Sequence, residues 1–251
     1  MRGKMNRRFK AVLQYEGTRY QGWQKQKETA NTIQGKLEEL LFRMTGNRTE
    51  VQGSGRTDAG VHAYGQVISF SSNTDKTPEE IRDYMNRYLP EDIGVIEVRE
   101  AAERFHARLN AVGKVYRYRV LNTSIPHIFD RRYAAVYPEK LEEEKVRKAM
   151  ELLMGTHDFK AFTSKKNSKK STIRTLQEIR LERIGEEWRF TFVGDGFLYH
   201  MVRIMMGTIL ETGSGRRSPE SIEEAFREGD RAKTGFLAPP HGLALMEVFY
   251  H

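Results

Sequence analysis

Stretches with a two-residue apolar repeat alternate along this chain with stretches whose apolar positions recur every three to four residues, and the order runs through twice. Segment 8–15 (RFKAVLQY) has the strand pattern and stops at Gly17. From Asn31 a helix is expected, with Ile33, Leu37, Leu40, Leu41 and Met44 on one face and Gly46 as its C-terminal cap. Strands are expected at 65–70 and 93–98, separated by a helix that Thr77 and Glu80 open as a capping box around Pro78. The second pass begins with a strand at 115–121. It continues with an amphipathic helix marked by Leu141, Val146, Ala149, Met150 and Leu153, and Gly155 ends it. A hairpin over 176–184 and 188–193, a buried helix at 197–211, a short helix after Ser218-Pro219 and a last strand at 243–250 complete it. The fold class is therefore α+β, in two related α/β halves with mainly antiparallel sheets, and the junction falls within 104–113.

The longest apolar-rich stretch, 197–210, is broken by His200 and Arg203 and falls short of the roughly 20 residues a bilayer span requires. The basic start of the chain has no apolar core or cleavage signal of a secretory leader, so cytoplasmic residence is expected. With no cysteine, disulfides, thiolate metal sites and cysteine nucleophiles are excluded, and the scattered histidines offer no zinc spacing. A net charge of +8 favours a polyanionic partner, because each neutralised phosphate releases counterions.

A nucleotide loop is not found. No GxxxxGK[ST] is present, and neither Gly53-Ser54-Gly55 nor Gly213-Ser214-Gly215 extends into GxGxxG. What stands out is 53–63, GSGRTDAGVHA, where Asp58 lies in a glycine-bearing loop with Arg56 two residues before it. Read alone, the same loop is also a tight turn in which Asp58 caps backbone and Arg56 is solvated. In 114–119, KVYRYR, Tyr116 and Tyr118 share one strand face and Arg117 and Arg119 the other. That offers a stacking face for unpaired bases beside a phosphate-binding face, or ordinary strand packing with the arginines in water. In 197–207, FLYHMVRIMMG, Arg203 sits among apolar residues and needs a partner such as a carboxylate if buried. The run 164–172 (SKKNSKKST) reads as a mobile basic loop.

Together with YEGTRYQGWQKQ (15–26), GQVISF (65–70), NRYLPEDI (86–93), FHAR (105–108) and APPHGLALMEV (238–248), these blocks resemble the tRNA pseudouridine synthase A family over nearly the whole length. The resemblance implies an isomerase that converts uridine to pseudouridine at positions 38, 39 and 40 in the anticodon stem-loop of tRNA. It implies Asp58 as the catalytic nucleophile, Arg56 as the arginine that helps displace the base, Tyr116 as the active-site tyrosine and Arg203 as the aspartate's ion-pair partner. It also implies no cofactor and no metal, tRNA as partner, a homodimer, and halves whose sheets meet at a central cleft. The first half, 5–105, would carry the aspartate loop, and the second, 106–251, the tyrosine and the arginine.

The reaction breaks the bond from ribose C1′ to N1 of uracil and remakes it to C5. The residues permit attack of Asp58 at C1′, removal of the 2′ proton, or attack at C6. A paralogue acting on another RNA uridine and a non-catalytic RNA-binding module using Tyr116 and Tyr118 are the alternatives.

Overall fold

A computed structural model describes residues 6–165 and 170–251. Its contacts divide the chain into two compact units, Met1–Val112 with Leu245–His251, and Gly113–Ala244.

In the first unit the strand β1 (Arg7–Tyr15) is followed by α1 (Ile33–Thr45), β2 (Gln52–Gly53), β3 (His62–Ser72), α2 (Pro78–Tyr88) and β4 (Ile93–Glu100). β1 lies between β3 and β4, antiparallel to both, so that Phe9 meets Phe70 across one ladder and Ala11 meets Val98 across the other. Alternate residues Phe9, Ala11, Leu13 and Tyr15 are buried, as a strand with one covered face requires. α1 buries Ile33, Leu37, Leu40 and Leu41. Thr32 accepts a hydrogen bond from Gly35 N at one end, and Gly46, at φ 71°, closes the other. The Thr77–Glu80 capping box forms with both reciprocal bonds, and α2 packs on β4. The cap of α1 is thus Thr32, where the pattern pointed to Asn31, and β3 reaches further in both directions than 65–70.

The second unit is built on β5 (Ala111–Leu121), β6 (Ala135–Val136), α3 (Glu143–Leu153), β7 (Gly155–Asp158), β8 (Ile173–Ile184), β9 (Glu187–Gly194), α4 (Met201–Gly213) and α5 (Glu220–Glu228). β10 (Leu243–Tyr250) follows and leads back to the first unit, where it lies beside β3. β9 pairs antiparallel with β5 and β8, β7 with β8, and the short β6 runs parallel to β5. The hairpin expected around 185–187 is the β8–β9 connection, with Gly185 at φ 61°. The buried helix is shorter at its start than 197–211. Its N-cap is His200 in the left-handed conformation at φ 66°, so 197–200 form a turn and α4 begins at Met201. The basic-loop reading of 164–172 falls partly on 166–169, outside the described residues.

Candidate active-site loop

Residues 54–61 connect β2 to β3, and their ends are fixed by sheet geometry. Gly53 pairs with Ile68, and Ser54 N donates to Val67 O at 2.8 Å. Trp23 N donates to the Thr57 carbonyl at 3.0 Å, while Gly22 O and Trp23 O accept from Ile33 N and Gln34 N at the start of α1. The segment before α1 is therefore tied on one side to the loop and on the other to a capped helix. Gly22, at φ 87°, has room for no side chain, since a Cβ there would lie 2.9 Å from the Thr57 carbonyl oxygen.

Exposure alternates along the loop. Arg56 is exposed, Thr57 buried and Asp58 half-buried. The inward Thr57 is held by a side chain of β1, and the loop before it by a side chain of β3. Tyr15 Oη and Thr57 Oγ1 are 2.8 Å apart. Gln66 Nε2 donates to Gly55 O at 2.9 Å and to Tyr15 Oη at 3.4 Å, and its Oε1 accepts from Ser54 Oγ at 2.6 Å. Burial pushes the Tyr15 phenol up to about 12 against the opposing bonds from Thr57 and Gln66, so it is protonated at neutral pH. Nδ1 of His62 accepts from Gly17 N at 3.0 Å and carries no hydrogen in that bond, which leaves the ring proton on Nε2.

Tyr116 and Arg203 belong to the second unit. Tyr116 is buried opposite Phe192 and meets the Phe197 ring edge-on at 5.0 Å. Arg203 is buried on α4, where its Nε donates to Ala238 O at 2.7 Å. Tyr118 does not supply a stacking face. Its ring is wholly buried, its hydroxyl donates to Pro239 O at 2.7 Å, and burial drives its pKa up, against the lowering effect of Arg203. Nor does Arg119 behind it stand free in water: it pairs with Glu187 at 2.6 Å and Asp130 at 3.2 Å. The platform reading of Tyr116 with Tyr118 is therefore corrected for Tyr118, because a ring with no exposed surface belongs to the core and offers no face to a base. Tyr15, Thr57 and Gln66 were missed by sequence reasoning. Their blocks were noted, yet the contacts join residues 42 and 51 positions apart, which no local pattern marks.

Among the described residues no group of three or more His, Asp or Glu side chains could hold a metal ion, and no helix is long and apolar enough to cross a membrane.

Helices packed with mainly antiparallel strands make each unit α+β, and the first presents an Arg-Thr-Asp loop on a buried polar support. A family model described as tRNA pseudouridine synthase matches residues 11–110 and 149–251. The chain belongs to that family. It is 43% identical over 242 residues to the tRNA pseudouridine synthase A of Bacillus sp. (strain KSM-64), covering 96% of this chain and 99% of that one. It is 44% identical over 247 residues to that of Geobacillus sp. (strain WCH70), covering 98% and 99%. With the tRNA pseudouridine synthase A 2 of Clostridium perfringens it shares 41% over 244 residues, covering 97% and 100%.

Proposed function

We propose that this chain isomerises uridine to pseudouridine in the anticodon stem-loop of tRNA, at positions 38, 39 and 40, with Asp58 as nucleophile. The observation that carries this reading is the loop itself: the buried Thr57 is anchored between an exposed Arg56 and a half-buried Asp58, in a chain related over nearly its full length to tRNA pseudouridine synthases A. A carboxylate and a guanidinium two residues apart on a fixed loop suit attack on a nucleoside and neutralisation of its phosphate.

The chemistry balances within the substrate. The C1′–N1 bond breaks, a C1′–C5 bond forms, the C5 proton leaves and N1 gains one, so no oxidant or co-substrate is consumed. Arg56, Tyr116 and Arg203 are assigned to the substrate site by their place in the motifs. Arg56 would offset part of the few kcal/mol that extracting a paired base costs. Tyr116 would stack against the target base, the role its motif implies. Cytoplasmic residence and a homodimer accompany this reading.

Release of tritium from 5-tritiated uridine in transcribed tRNA tests it. Asp58→Ala should abolish release while still binding the tRNA, and release at the wild-type rate would refute the assignment. Mapping the modified positions in the same reaction tests the target uridines, and sedimentation of the free protein tests the dimer.

A further inference from the structure

We propose that Tyr15 and Thr57 form a positioning strut for the Asp58 carboxylate, a role that rests on the nucleophile reading above. The β1–β3 ladder runs in register to Leu13 opposite Gln66 and then slips by one residue, so that Tyr15 faces Ala63. A slip of this kind re-aims a side chain, and the phenol it redirects ends at Thr57 Oγ1. Tyr15, Thr57, Gln66 and Ser54 are all buried, and each hydroxyl or amide in the set has a partner.

An apolar filling would stabilise such a region equally well, since a satisfied polar network only recovers the desolvation its members suffer. What the network adds is direction. The main-chain bond from Trp23 N to the Thr57 carbonyl holds the loop at that height. The side-chain bond to Tyr15 then fixes the rotation of residue 57 about the loop backbone. Asp58 is the next residue, so that rotation sets where its carboxylate stands. With burial keeping Tyr15 protonated up to about pH 12, the phenol serves as a fixed dipole and not as an acid or base in turnover.

Single-turnover tritium release under saturating enzyme, with tRNA affinity and thermal melting measured on the same preparations, tests the strut. Tyr15→Phe keeps the ring and the main-chain anchor and should slow release roughly tenfold to a hundredfold, the scale of a reacting group displaced by about an ångström. Its tRNA affinity should stay within about twofold of wild type, because Arg56 and the basic surface are untouched. Thr57→Val should show the same loss, and Thr57→Ser, which restores the hydroxyl, should recover most of the rate. The strut is overturned if Tyr15→Phe reacts at the wild-type rate, if its loss appears in affinity instead, or if Thr57→Ser is as slow as Thr57→Val. Should Tyr15→Phe fail to fold, the Thr57 pair decides alone. Full release by Asp58→Ala would refute the nucleophile itself, whereas inactive Asp58→Ala beside fully active Tyr15→Phe removes only the strut.

Discussion

The two units hold their candidate site residues by opposite means. In the first, Arg56 and Asp58 lie on a loop whose underside is a closed chain of hydrogen bonds through Ser54, Gln66, Tyr15 and Thr57. In the second, Tyr116 and Arg203 stand on a central strand and on a helix of which every residue but Glu211 is buried. Polar support gives a flexible segment direction at little gain in stability, while apolar support gives rigidity through close packing. Damage to the first should therefore appear in rate, and damage to the second in stability.

Two glycines test this difference with the largest expected effect. Gly207 lies on α4 where a Cβ would collide with the Phe236 carbonyl oxygen, and Gly22 lies where a Cβ would press on Thr57. Gly207→Ala must part a packed helix from its neighbour, at about 3 kcal/mol of stability. Gly22→Ala should cost only about 1–2 kcal/mol, the strain of an alanine at positive φ, because its Cβ would stand 2.9 Å from the Thr57 carbonyl oxygen where that of residue 207 would stand 1.9 Å from the Phe236 carbonyl oxygen. Its tritium release should nevertheless fall further than that of Gly207→Ala measured well below the melting temperature. Equal losses of stability in urea titrations would erase the distinction between the units.

Alkaline pH reaches the first unit through Tyr15. Its phenol titrates near 10.0 when unfolded and at about 12 in the fold. Above pH 10 the unfolded chain releases this proton and the folded chain retains it, so stability is whole below pH 10 and declines as pH rises through about 12. At about 1.4 kcal/mol per unit the decline amounts to roughly 2–3 kcal/mol. Buried Tyr118 pushes the second unit in the same direction. Tyr15→Phe should flatten the part of the alkaline decline that belongs to Tyr15, and urea melts at a series of pH values above 9 would show whether it does.

How much of this was legible in the sequence follows from the range of the interactions. The caps of α1 and α2 depend on residues three apart, and Gly46 and the Thr77–Glu80 box were read correctly from local pattern. The start of α4 was not, because His200 takes a left-handed conformation that a residue with a Cβ seldom adopts and that no composition rule anticipates. Alternation placed Tyr116 and Tyr118 on one face but could not say that this face is covered. The loop drew notice through Arg56, Asp58 and its glycines. Its support from Tyr15 and Gln66 exists only once β1 and β3 have paired and slipped by one residue.

The smallest effect, in acid, separates the units most cleanly. Glu187 on β9 is held by Arg189 at 2.7 Å and Arg119 at 2.6 Å, bonds that outweigh its partial burial and bring its carboxyl down to about 2. A carboxylate depressed in this way contributes stability above its unfolded value of 4.5 and loses it as pH falls through about 2. Screened by solvent, the contribution is about 1 kcal/mol. Glu187→Gln should therefore be less stable than wild type at pH 7, and the gap should close toward pH 2. The chain holds two tryptophans, Trp23 against the loop and Trp188 beside Glu187, one in each unit. With Trp23→Phe, fluorescence reports on the second unit; with Trp188→Phe, on the first. On acidification the Trp188 signal should change at higher pH than the Trp23 signal, and Glu187→Gln should shift the Trp188 transition alone. If both signals moved together in every variant, the units would unfold as one, and the contrast in how they hold their residues would have no counterpart in stability.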